Sequence, residues 1–324
     1  MSHLVAKLTF TAALIGCMLS CPISCMAQGG SATGQSKLAS KSVEIPSCYE
    51  IQKIPGGKPE VSRTVVILLD ETTVLPNSIR DTVLRSLKAF VQPGTHLTIM
   101  RFSAFTKDRS ARIMMRGDIE PRIAVPDPDK STLTIRATKV ALAQANSLNA
   151  CIDGQHKYVT NLAQQAVNTV FNEATSQILQ SEIFGALHSA STLLNNPPAH
   201  EKILFVVSDM LENSSFTSFY SKNDVKLLDP KTELLKIEKE GFIEDFHGAK
   251  VYVVGAGLFP APQLPAGEIG GGKLKAKATP AYRNARVMQS HKRFWEAYFT
   301  RSKATVVEFG QPDLLGQVKL GQVK

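Results

Sequence analysis

Three segments of the 324-residue chain are almost unbroken apolar runs: Arg63-Thr-Val-Val-Ile-Leu-Leu-Asp70, Lys202-Ile-Leu-Phe-Val-Val-Ser-Asp209 and Lys250-Val-Tyr-Val-Val-Gly255. A strand with one wet face alternates polar and apolar residues. These do not, so they predict strands buried on both faces, as parallel sheets contain. After the first run, Ile79, Val83, Leu84, Leu87, Phe90 and Val91 recur at helical spacing, with Asn77 as a start signal and Pro93-Gly94 as a stop. His96–Phe102 and Arg112–Arg116 predict two strands joined as a hairpin by a polar loop. A Pro/Asp-rich connection, 117–135, leads into a helical region from about 136 to 195, with breaks expected near Asp153-Gly154 and around Ser176. Pro230–Glu240 reads as a charged helix, 258–281 as a Pro/Gly/Lys loop, 284–301 as a helix and Thr305–Phe309 as a last strand.

Strands alternating with helices predict one α/β domain over residues 61–312, with a mainly parallel sheet, one antiparallel edge strand and helices on both faces. Ligands on such sheets bind beyond the carboxyl ends of the strands, where strand order reverses. Asp70 and Asp209 each close an apolar run. Two acids are therefore expected on one rim.

From Arg63 to Phe309, with insertions at 117–160 and 258–281, the chain resembles a von Willebrand factor A-type (vWA) domain. Asp70-Glu71-Thr72-Thr73-Val74 stands where that family has Asp-x-Ser-x-Ser, and the hairpin matches the family's antiparallel edge strand. Ser181-Glu-Ile-Phe-Gly-Ala-Leu187 is similar to its Thr-x-Ile-x-x-Ala-Leu helix start, and Val206-Val-Ser-Asp209 to its strand-then-Asp segment. The resemblance implies a Rossmann-like fold, a protein partner and a metal-ion-dependent adhesion site. In that site Asp70, Thr72, Ser181 and Asp209 surround Mg²⁺ (or Mn²⁺ or Ca²⁺), and a partner's carboxylate completes the shell. Oxygen ligands suit such hard cations. Val74 removes one hydroxyl of the family pattern, Thr73 is out of register by one, and Ser181 replaces a threonine. The alternative on the same residues is a rim without metal, with both acids serving as caps and hydrogen-bond hubs of a structural envelope protein.

Strand, Asp, then x-Thr also resembles the haloacid-dehalogenase phosphohydrolase signature. That would make Asp70 a covalent nucleophile and give Asp209 and Glu212 a Mg²⁺. Thr72 replaces the acid such enzymes use for proton transfer, so the chain is expected to bind rather than catalyse.

Residues 1–27 carry one charge, Lys7, followed by an apolar run from Leu8 to Leu19 and then small or polar residues, the order of a secretory signal. The run is shorter than the ~20 residues that cross a bilayer. Cleavage after Ala27 would leave a chain beginning at Gln28, with 28–60 as a flexible leader ordered near Cys48. Leu14-Ile15-Gly16-Cys17 resembles a bacterial lipobox, the alternative, in which a lipid on Cys17 anchors the protein. Both routes, like the third reading of a retained anchor, imply export, with the periplasm as destination. Of five cysteines only Cys48 and Cys151 lie outside the signal. In an oxidising compartment they predict one disulfide closing a loop of ~100 residues, against an alternative of two free thiols.

Lys plus Arg total 37 against 28 Asp plus Glu, a net charge of +9. The cations are dispersed without interleaved aromatics, so no specific nucleic-acid site is expected. Lys273, Lys275, Lys277, Arg283, Arg286, Lys292 and Arg293 are denser, and form a candidate contact for an anionic surface or a solvated face. The seven histidines show no i, i+3 or i, i+4 pair, which argues against a zinc helix. Gly270-Gly-Gly-Lys273 lacks the phosphate-loop spacing, and Phe294, Trp295, Tyr298 and Phe299 read as core aromatics. The tail, 313–324, repeats Gly-Gln-Val-Lys, too short a unit for a repeat fold.

Overall fold

A computed structural model describes residues 42–104, 111–127, 134–178, 180–221, 224–258 and 285–321. At the centre lies β2 (Arg63–Asp70), paired in parallel with β3 (Thr95–Phe102) on one side and β5 (Glu201–Val207) on the other. Beyond β5 come β8 (Lys250–Val254) and β9 (Thr305–Phe309), both parallel. Beyond β3 comes β4 (Arg112–Ile119), antiparallel as the hairpin pattern predicts. Outside β4 lies a two-residue strand, β1 (Val43–Glu44), so the seven-stranded order is β1-β4-β3-β2-β5-β8-β9.

All eight residues of β2 are buried, which explains why its sequence does not alternate. The pleat still sorts them: Val65, Ile67 and Leu69 enter one core, and Val66 and Leu68 the other. The first core is covered by α2 (Asn77–Phe90) and α3 (Ile135–Glu173), with Leu314, Val318 and Leu320 of the end segment packed in beside them. The second is covered by α4 (Ile183–Leu194), α5 (Pro230–Lys239) and α6 (Ala285–Arg301). Phe294, Trp295, Tyr298 and Phe299 of α6 are fully buried there, as expected of core aromatics.

The break expected at Asp153-Gly154 does not occur: α3 runs 39 residues without interruption, which is ~58 Å at 1.5 Å per residue. A glycine inside a helix costs only about 1 kcal/mol, and Ile152, Gln155 and Val159 anchor the helix on either side of it. The break near Ser176 is present. Regular structure fills most of 117–160, because β4 continues to Ile119 and α3 begins at Ile135. A short helix, α1 (Cys48–Ile51), is bonded to α3 by the Cys48–Cys151 disulfide. Among the described residues no helix is long and apolar enough to cross a membrane. The signal segment, the Gly270–Lys273 stretch and the lysines and arginine from 273 to 283 lie outside the described residues.

Candidate functional site

Strand order reverses between β2 and β5, because the chain leaves β2 for β3 on one side and later returns to β5 on the other. Such a reversal opens a crevice at the carboxyl ends of the two strands. Asp70 is the last residue of β2, Asp209 follows β5 by two residues, and Leu69 and Val207 are register partners. The two acids, 139 positions apart in the chain, therefore share one end of the sheet.

Asp70 is held by its own loop and by two others, and Asp209 by its own loop. Asp70 Oδ1 accepts from the Thr72 amide at 2.8 Å and the Thr72 hydroxyl at 2.6 Å. Its Oδ2 accepts from Ser208 Oγ at 2.7 Å and Ser181 Oγ at 3.2 Å. Ser181 is presented by a pair of main-chain bonds with Asn213, at 3.1 and 2.9 Å. Asp209 Oδ1 accepts from the Leu211 amide at 2.9 Å, and the Asp209 amide donates to Thr73 Oγ1 at 3.2 Å. Met210 has a left-handed φ of 60°, and its carbonyl accepts from Trp295 Nε1 at 2.9 Å. The aromatic core thereby fixes the turn that carries Asp209.

Three of the four residues expected around a cation are thus hydrogen-bonded together: Asp70, Thr72 and Ser181. The fourth, Asp209, lies close enough for charge on Asp70 to push its proton affinity up. Burial raises the pKa of Asp70, partly offset by the bonds from Thr72 and Ser208. Burial, then repulsion from Asp70, raises that of Asp209 further. Hydroxyls and two amides share hydrogen bonds with these acids but bring no positive charge to them. A small divalent cation would supply it, and a donor set of two carboxylates and three hydroxyls has the right hard-oxygen chemistry. Among the described residues no three His, Cys, Asp or Glu side chains gather as a metal site, so an ion here would depend on hydroxyls and water. Val74 is half exposed, at 51%, and contributes no donor.

Glu212, a metal ligand on the phosphohydrolase reading, is committed elsewhere. Its Oε2 accepts from the Ile183 and Phe184 amides, at 2.7 and 3.2 Å, at the start of α4. Burial lifts its pKa from 4.5 to about 7. The folded state therefore binds this proton more tightly than the unfolded chain, and the resulting stability is complete below about pH 4.5 and lost as pH rises to about 7. Glu212→Gln keeps an acceptor for both amides and is expected to flatten that fall, read by urea titration at a series of pH values.

Ser208 and Tyr220 belong to the site without having been singled out in the sequence, while Thr73, out of register with the family pattern, accepts from the Asp209 amide. Ser208 sits visibly in Val206-Val-Ser-Asp209, but a serine before an aspartate is uninformative until its hydroxyl is seen to turn back to Asp70. Tyr220, on β6 (Tyr220–Ser221), which pairs antiparallel with β7 (Asp224–Val225), packs against the Leu211–Met288 cluster. Its phenol is shifted upward by burial, with the charges of Asp209 and Asp70 adding to it. His188 lies apart from this rim, 67% exposed in its side chain and 2.9 Å from Glu244.

No protein-family model and no curated protein matches the chain. Among solved structures, it is similar over 79% of its length to 92% of the SpRpn10 VWA domain, with 10% identity and a TM-score of 0.31. It is similar over 61% of its length to the pilus adhesin SpaC from Lactobacillus rhamnosus GG in its open conformation, with 11% identity and a TM-score of 0.31. The match spans 24% of that adhesin. The TFIIH p34 N-terminal domain is matched over 60% of this chain and 81% of its own, with 13% identity and a TM-score of 0.22.

Proposed function

We propose that this chain is a protein-binding module of the vWA type, whose binding centre is a divalent cation held by Asp70 and Asp209 with help from Thr72 and Ser181. What carries this reading is the meeting of two buried, mutually repelling carboxylates under hydroxyls from three separate loops. When bound, such an ion offers an open coordination position to a carboxylate of the partner protein. The chain's own part is positional. Thr72, Ser181 and Ser208 fix the Asp70 carboxylate, Thr73 ties the Asp209 loop to the Asp70 loop, and Arg101 bridges Glu71 and Glu173 at 2.7 and 2.5 Å beside them. We place the protein outside the cytoplasm, in an envelope assembly, on the strength of the signal-like residues 1–27, with the basic stretch at 273–293 as a second contact for an anionic surface.

Thermal melts in EDTA, Mg²⁺, Mn²⁺ and Ca²⁺ test this. An ion bound only by the folded state stabilises it by ~2.7 kcal/mol at a hundredfold excess over its dissociation constant. The melting temperature should rise with at least one ion, and Asp70→Ala should abolish the rise. No response to any of the three leaves a rim without metal. Hydrolysis of a phosphate ester, lost in Asp70→Asn, would instead favour the enzyme.

A further inference from the structure

We propose that residues 43–54 form a latch over the outer edge of β4, closed by the Cys48–Cys151 disulfide and opened by its reduction without unfolding of the sheet. The segment has little cohesion of its own. It consists of a two-residue strand and a four-residue helix, both below the length at which such elements hold themselves together. It is held by docking. β1 pairs Val43 with Met115 and Glu44 with Arg116, and the Ile45 amide donates to the Arg116 carbonyl at 2.9 Å. The approach at Ile45 is so close that a Cβ on Gly117 would lie 2.6 Å from the Ile45 Cβ, and Gly117 has a φ of +146°.

At α1, the Cys48 amide and the Ser47 hydroxyl both donate to the buried Glu120 carboxylate, the amide at 2.9 Å. Gln155 of α3 donates to the Pro46 carbonyl at 2.8 Å, and Gln52 donates back to the Ser147 carbonyl at 3.1 Å. Cys48 and Tyr49 pack on Leu148 and Ile152 in a small cluster separate from the two main cores. Residues 55–60 are exposed, and Gly56 and Gly57 have left-handed φ with open space around them. The latch thus has a hinge on its carboxyl side, hydrogen bonds that water can replace, and a single covalent tie to a helix rooted in the main core.

The opening step needs a dithiol. Its thiolate attacks Cys151 Sγ, since Cys151 is the more exposed residue of the pair, partly buried where Cys48 is 2% exposed. The Cys48–Cys151 bond breaks and Cys48 leaves as a thiolate that takes a proton. The second thiol of the reductant then displaces Cys151 from the mixed disulfide. Two electrons and two protons reach the protein, and the reductant leaves as its own disulfide. Release would free the main-chain edge of Arg116, whose carbonyl accepts from Ile45, and bare the outer side of β4. It would also open a polar cavity of about 290 Å³, walled by Glu44, Ile45 and Ser47 of the latch. On the other side of that cavity Asp118 holds His96 Nδ1 at 2.5 Å and Lys58 at 2.6 Å.

Hydrogen exchange of the full chain with and without dithiothreitol tests the proposal. On reduction, and in Cys151→Ser, amides of 43–54 and of Arg116 are expected to exchange about a hundredfold faster, as local openings do, while β2, β3, β5 and β8 keep their protection. In the disulfide-bonded protein, Gly117→Ala drives a methyl into Ile45 and should speed reduction at fixed dithiothreitol. Unchanged exchange at 43–54 after reduction would overturn the proposal. So would loss of protection across the whole sheet, which would make the bond a staple of the entire domain. Should Cys151→Ser fail to fold, the reduced natural chain gives the same readout.

Discussion

Asp209→Asn is expected to raise the stability of the metal-free protein and to remove its response to divalent cations. In EDTA at neutral pH, the folded chain must keep Asp209 buried beside a second buried acid, and both effects disfavour its charged form. An asparagine keeps an oxygen for the Leu211 amide and carries no charge to repel Asp70. The gain should be about 0.5–2 kcal/mol, the range single stabilising substitutions commonly reach, or a few degrees of melting temperature. Its pH dependence has a definite sign. Because the folded pKa of Asp209 lies well above 3.8, stability supplied by its proton is complete below about pH 4 and is lost as pH rises. The stabilisation by Asp209→Asn should therefore grow with pH and vanish in acid. With saturating Mg²⁺ or Mn²⁺ the order should reverse, the natural chain gaining and the variant not. Differential scanning fluorimetry in EDTA and in each ion reads both halves. Destabilisation by Asp209→Asn in EDTA would mean that the carboxylate is a structural hub.

Trp295→Ala should cost about 4 kcal/mol, the usual loss for emptying a buried tryptophan site. The ring is fully buried and meets Phe184, Phe219, Phe294, Tyr298 and Phe299 with centroids 5.1 to 6.1 Å apart. Trp295→Phe separates packing from hydrogen bonding. It keeps most of the apolar volume but leaves the Met210 carbonyl without the indole N–H that holds it at 2.9 Å. An orphaned buried acceptor costs about 1–3 kcal/mol. The particular consequence lies at the rim, since Met210 adjoins Asp209 and is held in a left-handed turn. Trp295→Phe is expected to weaken the cation-dependent rise in melting temperature more than a core variant on the opposite face, such as Val167→Ala. Equal effects would uncouple the aromatic core from the Asp209 turn.

The legible parts of this protein are those written between chain neighbours. Continuous apolar runs marked β2, β5 and β8 because a strand buried on both faces needs no polar positions. Asp70 and Asp209 could be placed at one rim because parallel strands align their carboxyl ends. The Asp153-Gly154 pair misled, since local helix propensity is a weak prior once Ile152, Gln155 and Val159 are packed. Val74 was legible as a missing hydroxyl. The compensating presence of Ser208 on Asp70 was not, because nothing local distinguishes a hydroxyl that turns inward from one that faces water.

By itself, then, the sequence determined the longer strands, the helices α2, α4, α5 and α6, the mainly parallel sheet, the aromatic face of α6 and the two acids. Each follows from periodicity or from a residue's place at the end of a run. Only the tertiary structure decided that β2 and β5 are neighbours at the reversal of strand order. It also decided that Ser181 and Ser208, 111 and 138 positions from Asp70, converge on one carboxylate. A two-residue strand, a four-residue helix and the segment carrying Leu314 and Val318 likewise owe their places to the surfaces they cover. The reason is the same in each case: their free energy comes from partners distant in the chain, and no window of neighbouring residues contains both members of the contact.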